Sequence, residues 1–138
     1  MTETSLSKWE QAISKLVEFT QDGKLEWGIV NPKEYLPDDE TTGVMLLVKY
    51  KDKHLILYQG SYTRISGNVF AMISGQGNEV EDFRPELSVY DVNEKVIVYT
   101  FPYSQLVEDL YKAATFSAAK IDELISSILS ESSEKDRT

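Results

Sequence analysis

The fold is decided by residues 44–59, which read VMLLVKYKDKHLILYQ. The runs 44–50 and 55–59 are rich in valine, isoleucine, leucine and tyrosine, and the polar stretch 51–54 lies between them. Such residues favour strands, and a short polar connection between two strands is typical of an antiparallel hairpin. We therefore predict a β-hairpin here, in the middle of a sheet.

Further strands are predicted on both sides of this hairpin. Residues 31–43 contain two prolines and an acidic run, which indicates a loop between the first strand and the hairpin. Residues 91–94 are polar and are predicted to form a second hairpin turn. The β-rich or alternating runs that surround these connections lie at 24–30, 62–65, 68–74, 86–90 and 95–101. The expected sheet is an antiparallel meander of about five to seven strands.

A helix is predicted before the sheet. Apolar residues recur at three- and four-residue steps over residues 6–20, which places them on one stripe of an amphipathic helix. Ser7 and Glu10 have the spacing of a capping box at its start, with Thr4 or Ser5 as the alternative caps. Trp9 and Trp27 are expected to pack this helix against the first strand.

More helix is predicted after the sheet. Apolar residues have helical spacing over 106–114 and again over 121–129, whereas 115–117 lacks this periodicity. We expect either two helices with a break at 115–117 or one bent helix. Residues 131–138 are polar and are expected to form a disordered tail.

The order of helix, strands and helix predicts an α+β fold in one domain over residues 1–130, with an antiparallel sheet flanked by an N-terminal helix and one or two C-terminal helices. Residues 96–101 are apolar on both faces of their strand, which indicates that both faces of the sheet need covering. Either the helices divide between the two faces, or one face is left for a partner, a second copy of the chain or a ligand.

Composition argues against several classes of protein. The 138 residues carry a formal net charge of −9, which disfavours binding to nucleic acid or to anionic membranes. The absence of cysteine removes disulfides, thiolate metal sites and cysteine nucleophiles, and fits a reducing compartment. No apolar run reaches the roughly 18 residues of a membrane span, and residues 1–9 do not have the pattern of a signal peptide. We expect a cytoplasmic protein.

Two short motifs resemble a pattern found in small bacterial proteins without a settled activity. Residues 20–27, TQDGKLEW, match a threonine, a Gly-Lys step and a tryptophan that open a sheet directly after a helix. Residues 106–114, LVEDLYKAA, resemble a Leu-x-x-Leu-Tyr-x-Ala-Ala element before a final helix. The resemblance implies the same fold and a bacterial or mobile-element setting. It carries over no catalytic residues.

Few residues have a pattern that indicates catalysis or cofactor binding. His54 is the only histidine, and it lies in a predicted hairpin turn without a second catalytic group nearby in the sequence. Residues 75–77, Gly-Gln-Gly, lack the third glycine and the helix of a phosphate-binding loop. The acidic residues do not follow the alternation of a calcium loop. We therefore predict no catalytic residue, no cofactor and no metal site.

The acidic residues instead indicate an interaction surface. Unbalanced negative charge in loops can steer a basic partner into contact, and tyrosines in the predicted strands can supply stiff contact area. We predict a non-enzymatic regulatory or inhibitory module that binds a protein partner, with self-association as a homodimer through a sheet face or the last helix also open. The alternative is a small-molecule pocket between the sheet and the C-terminal helix. The predicted interaction residues are Asp38, Asp39, Glu40, Glu79, Glu81 and Asp82.

Overall fold

The computed structural model of the chain describes residues 6–39, 41–66, 75 and 78–135. Within these residues the helices are α1 (Lys8–Gln21), α2 (Pro32–Tyr35), α3 (Gln105–Ala118) and α4 (Ile121–Lys135). The strands are β1 (Gly28–Val30), β2 (Thr41–Tyr50), β3 (Lys53–Ser66), β4 (Asn78–Asp91) and β5 (Val96–Thr100). The five strands form one antiparallel sheet in sequence order, β1 to β5. This confirms the predicted α+β fold with its antiparallel meander.

The central pair of strands is longer than the sequence predicts. β3 and β4 have 14 residues each and pair from His54 opposite Tyr90 to Ser66 opposite Asn78. The separate strand predicted over 62–65 is therefore a continuation of β3, because β4 supplies a partner strand along its whole length. The strand predicted over 68–74 lies outside the described residues. β3 and β4 thus form a two-stranded ribbon that extends beyond the end of β2.

The first strand is shorter than predicted. Leu25 and Trp27 precede β1, yet both side chains are buried. The indole N–H of Trp27 donates to the hydroxyl of Thr20 at 2.9 Å, and that hydroxyl donates to the backbone carbonyl of Leu16 at 2.7 Å. Leu25 and Trp27 are therefore buried by packing against α1 rather than by strand pairing, whereas Ile29, on the same predicted face, belongs to β1 and is half exposed. The expected contact between Trp27 and α1 is confirmed.

The start of α1 also agrees with the sequence. Ser7 has extended backbone angles, its hydroxyl accepts from the Glu10 backbone N–H, and the Glu10 carboxylate accepts from the Ser7 backbone N–H. These two bonds are the predicted capping box. They satisfy donors that the first turn of a helix leaves without intrahelical partners.

The C-terminal region forms two helices, but the break is not at 115–117. Those residues continue α3, and the chain turns at Ala119 and Lys120, where Lys120 has φ 54°. The left-handed conformation of Lys120 ends one helix and lets the next begin. α4 then continues to Lys135, so helical structure extends into the segment from Glu131 that the sequence assigns to a polar tail.

The two faces of the sheet are covered by different elements. α1 and α3 pack on each other and on one face, where they enclose a large apolar core. The sheet contributes buried leucine and valine side chains to it: Leu46, Val48, Leu55, Leu57 and Leu87. On the opposite face a smaller cluster contains Met45, Ile56, Tyr58 and Tyr90, packed with α2 and the following residue, Leu36. Both faces therefore contain a buried apolar cluster, and the helices divide unequally between them. The residues from which this cover was predicted do not share it: β5 is an edge strand, and Val96, Val98 and Tyr99 are about half exposed because no further strand or helix packs beside them in the described chain.

The second strand departs from regular pairing near α3. Thr42 pairs with Gln59 and Leu46 with Leu57, so the three residues between them on β2 face one residue on β3. Gly43 lies in this irregular stretch with φ 73°, and a Cβ there would lie 3.1 Å from the Tyr111 hydroxyl. That hydroxyl donates to the Val44 carbonyl at 2.8 Å. Through this hydrogen bond α3 holds the irregular part of β2, just before the buried residues of the strand begin at Met45.

Among the described residues, none of the helices has the length and apolar character needed to cross a membrane.

Candidate functional site

Three of the predicted interaction residues line one cleft. Asp38 and Asp39 follow α2, whereas Glu81 belongs to β4, yet all three border the same depression of about 450 Å³. Its remaining lining comes from β3 and β4: Tyr58, Gly60, Ser61, Tyr62, Thr63 and Glu86. No lysine or arginine is among the described residues that line it. We call this depression the acidic cleft.

Tyr58 forms the inner wall of the acidic cleft. Its side chain is only 4% exposed, and its hydroxyl lies 3.4 Å from the Ser88 hydroxyl. Ser88 is in turn 2.9 Å from the hydroxyl of Thr100, so a row of hydroxyl groups crosses β3, β4 and β5. Burial raises the pKa of Tyr58 to about 12, against the lowering effect of Ser88, and the neighbouring Glu86 carboxylate raises it further. Tyr58 therefore stays neutral and polar at physiological pH.

Glycine at position 60 makes room for a fourth carboxylate. A Cβ on Gly60 would lie 2.6 Å from a carboxylate oxygen of Glu86, much closer than real Cβ contacts. The Glu86 carboxylate therefore lies directly over the backbone of β3. The four carboxylates give the lining of this depression a net negative charge.

A stacked arginine supports Tyr62, which borders the cleft. The guanidinium carbon of Arg84 lies 4.7 Å from the ring centroid of Tyr62 and 4.7 Å from that of Tyr103. The Tyr103 hydroxyl donates to the Glu108 carboxylate of α3 at 2.8 Å, and this bond raises the pKa of Tyr103. The stack thus links the β3–β4 ribbon to the start of α3. It also holds the Tyr62 ring in place without occupying the cleft.

The other predicted interaction residues are not part of this lining. Asp82 accepts from the Phe83 backbone N–H at 2.9 Å through its own carboxylate, so it caps its local backbone. Glu40 and the side chain of Glu79 lie outside the described residues. The structure therefore brings Asp38, Asp39 and Glu81 to one depression, and the role of the six positions in binding stays a prediction.

Sequence reasoning did not include several residues of the cleft in the predicted site. The sequence predicts Tyr58 and Tyr62 as strand residues that can supply contact area for a partner, but it does not place them beside the acidic residues, and Glu86 is not among the predicted interaction residues. Gly60 offered a signal, since a glycine inside a strand often marks a close approach of another group to the backbone. The pairing of Gly60 with Arg84 could not be read from the sequence, because it depends on the register of β3 and β4.

A second, larger depression lies beside the C-terminal helices. It has a volume of about 1110 Å³ and is bordered by the end of α1, the residues before β1, α3 and the start of α4. Val17, Leu25, Phe116 and Ile121 supply apolar lining, and charged residues such as Lys112 lie at its border. The depression is partly open to solvent. We call it the helical groove.

His54 is not placed in either depression. It lies in β3 between the paired residues Lys49 and Tyr90 of the neighbouring strands and is half-buried. In the described part of the chain its side chain has no hydrogen-bond partner. Nor do the described residues contain a group of three or more histidine, cysteine, aspartate or glutamate side chains arranged to hold a metal ion.

Comparison with known proteins gave no match: no family model matches the sequence, and no curated protein or solved structure is significantly similar to the chain.

Proposed function

We propose that this protein is a non-enzymatic interaction module that binds a basic segment of a protein partner at the acidic cleft, as a regulator or inhibitor. The observation that carries the proposal is the convergence of Asp38 and Asp39 with Glu81 and Glu86 at one tyrosine-lined depression. These residues are separated by about forty positions in the sequence, so the fold brings their charges together.

The chemistry of the cleft favours a cationic side chain. A lysine ammonium or an arginine guanidinium entering it would meet several carboxylates and the faces or hydroxyls of Tyr58 and Tyr62. Charge-assisted hydrogen bonds and cation–π contacts are both stronger where water is partly excluded. The volume of about 450 Å³ suits one or two long side chains rather than a folded domain. We therefore expect a partner that inserts a basic loop or tail.

We further propose that the protein is bacterial and cytoplasmic. The resemblance of the motifs at 20–27 and 106–114 to small bacterial proteins supports the bacterial origin. The net charge of −9 and the lack of cysteine are consistent with the cytoplasm and with binding to a basic protein. We propose a regulatory role for this binding because no catalytic residue is predicted in the sequence.

The first experiment is affinity capture of partners from lysate of the host organism, with three proteins in parallel. These are the wild type, a cleft variant (Asp38→Asn, Asp39→Asn, Glu81→Gln) and a control variant (Glu18→Gln, Asp52→Asn, Glu94→Gln). Both variants remove three negative charges, but the control positions are exposed residues that do not line the cleft. We expect a basic protein to be retained by the wild type and the control and to be lost from the cleft variant.

The captured protein is then purified, and its affinity is measured by calorimetry over a series of salt concentrations. The affinity for the wild type should fall steeply with salt, and the cleft variant should show a weaker affinity and a flatter salt dependence. Equal affinities for the cleft and control variants would contradict the proposal, because net charge alone would then account for binding.

The helical groove supports a second candidate function, small-molecule binding. Its volume reaches the upper end of the range of ligand pockets, and it combines apolar side chains with charged ones at its border. A thermal-shift screen of metabolites tests this candidate, with Phe116→Ala as the variant that should abolish any shift. The absence of any hit would leave the interaction module as the remaining proposal.

A further inference from the structure

The last helix has an apolar stripe that its own chain does not cover. Four side chains of α4 are about half exposed or more: Leu124 53%, Ile125 46%, Ile128 56% and Leu129 66%. The equivalent stripes of α1 and α3 are buried, with Ile13, Val107 and Leu110 fully so. Within the described chain, α4 makes its main contact with α3, near the turn that joins the two helices.

The four exposed side chains lie on one face of α4. At 3.6 residues per turn, positions 124, 125, 128 and 129 fall on one stripe. The opposite side carries Glu123, Ser126, Ser127 and Ser130, and Asp122 lies at the border between the two sides. Because this polar side has no basic cluster, the helix does not have the pattern of a surface helix on an anionic membrane. A protein surface is the better match for the stripe.

The order of residues in the stripe indicates which protein. Residues 124–129 read LISSIL, which is the same in both directions. A two-fold axis between Ser126 and Ser127 would place Leu124 of one copy beside Leu129 of another, and Ile125 beside Ile128. Each of these contacts then joins two side chains of the same type, and Ser126 and Ser127 of both copies lie on the side that faces away from the partner helix. A two-fold interface requires such self-complementarity, because the same patch must serve both partners.

We infer that α4 is the interface of a homodimer in which the two α4 helices pack antiparallel through Leu124, Ile125, Ile128 and Leu129. The exposed stripe is on the order of a few hundred Å², the size of patch that marks interaction sites on monomers. It is smaller than the roughly 800 Å² that each partner contributes to a standard stable interface, so we expect a weak, reversible dimer whose population depends on protein concentration. This inference is independent of the acidic cleft.

The charges at the rim predict the sign of the salt dependence. The same axis would place Asp122 of one copy beside Glu131 of the other. Acidic residues therefore meet at each end of the two paired helices. Salt screens this repulsion, and the dimer therefore strengthens as salt increases. A basic helix from another protein docked on the stripe would show the opposite dependence.

Sedimentation velocity tests the inference on the full chain, from low micromolar to several hundred micromolar concentration. The stripe variant combines Ile125→Glu with Ile128→Glu, and the matched control combines Ser126→Glu with Ser127→Glu. Both add two negative charges to the middle of α4, but only the first places them in the interface. We expect wild type and control to dimerise, and the stripe variant to weaken dimerisation at least about tenfold. Circular dichroism checks that all three are folded.

Disulfide cross-linking tests the orientation, since the chain has no cysteine of its own. Ile125→Cys and Ile128→Cys proteins of different tag size are mixed and oxidised. The antiparallel arrangement should give mainly the mixed 125–128 product, whereas a parallel pair would give mainly the two homodimeric products. A wild type that stays monomeric at every concentration overturns the inference and leaves the stripe to a different protein. Equal dimerisation of the stripe variant and the wild type also overturns it, because the interface must then lie elsewhere.

Discussion

The face of the sheet under α1 and α3 and the opposite face under α2 are built from alternating residues of the same strands, yet they are covered by very different amounts of helix. Two 14-residue helices seal the first face, whereas the second has a four-residue helix beside it in the described chain. The first face carries aliphatic side chains almost without interruption, and the second mixes apolar residues with Tyr58, Tyr90 and Ser88.

This difference shows how one sheet can have an aliphatic face and a more polar one. Tyr58 and Ser88 are buried on the second face because hydroxyl groups can bond to each other across the strands. The acidic cleft lies near the end of the pairing between β2 and β3, which stops at Gly60, while β3 and β4 continue as a two-stranded ribbon. The face under α1 and α3 therefore supplies most of the apolar core, and the opposite face contributes the wall of the cleft at which we propose binding.

The largest expected effect contrasts one leucine from each face. Leu87 is fully buried under the helices, and Leu47 is half-buried on the opposite face. Leu87→Ala should lower the free energy of unfolding by about 2–5 kcal/mol, because it leaves a cavity in a close-packed core. Leu47→Ala should cost clearly less, since solvent can fill part of the space. Urea denaturation measures the free energy of unfolding of both variants. Equal losses would contradict the expected difference in burial between the two faces.

A smaller loss in the free energy of unfolding is expected for a buried hydrogen bond on the side of the sheet that α1 and α3 cover. Thr20→Val keeps the shape of the side chain but leaves the Trp27 indole N–H without its acceptor. We expect a loss of about 1–3 kcal/mol in the free energy of unfolding, the usual cost of an unsatisfied buried donor. Thr20→Ser is the control, because it keeps the hydroxyl. Similar losses for both variants would assign the effect to the missing methyl group instead.

The contact between α3 and the irregular part of β2 should matter less. Tyr111→Phe removes the hydrogen bond to the Val44 carbonyl, which lies in a half-buried position where water can replace the donor. The expected loss is about 0.5–1.5 kcal/mol by thermal or urea denaturation. Faster amide hydrogen exchange around Gly43 should accompany it. An unchanged exchange rate there would mean that Tyr111 does not fix the shape of β2.

The last effect concerns the face under α2 and is absent at neutral pH, because it appears only in alkali. The folded-state pKa of Tyr58 lies above its ordinary value of 10.0, at about 12, so the stability that its neutral form contributes is complete below pH 10.0. That contribution decreases as the pH rises to about 12, because the unfolded chain ionises first. Tyr58→Phe should remove this part of the pH dependence. The difference between wild type and variant in urea denaturation should therefore change with pH above 10.0, and a constant difference would contradict the raised pKa.

Much of the fold could be predicted from local signals. The capping box at Ser7 and Glu10, the turn at 51–52 and the stripes of the helices depend on residues close in sequence, so their patterns are readable directly. The length of β3 and the short β1 were not predictable in this way. β3 continues through Gly60 because β4 pairs with it, and the residues before β1 alternate because α1 buries them.

The candidate site was predictable only in part, for the same reason. Acidic residues in loops were visible in the sequence, but their meeting point depended on where α2 places Asp39 relative to β4. Glu86 is paired with Tyr58 on the neighbouring strand, and its carboxylate reaches the cleft because Gly60, two residues further along β3, has no side chain there. Such neighbours are set by strand register, and register is a property of the whole sheet rather than of either segment.

The sequence by itself determined the type of each main element, the α+β class, the negative charge and the amphipathic character of the helices, because these follow from composition and from periods of two and 3.6 residues. Only the tertiary structure decided which stripes are buried. The stripes of α1 and α3 close over the sheet, whereas the stripe of α4, although equally regular, follows a left-handed residue at Lys120 and remains exposed. The periodicity of the sequence shows that one face of a helix is apolar, and the tertiary structure determines which residues that face contacts.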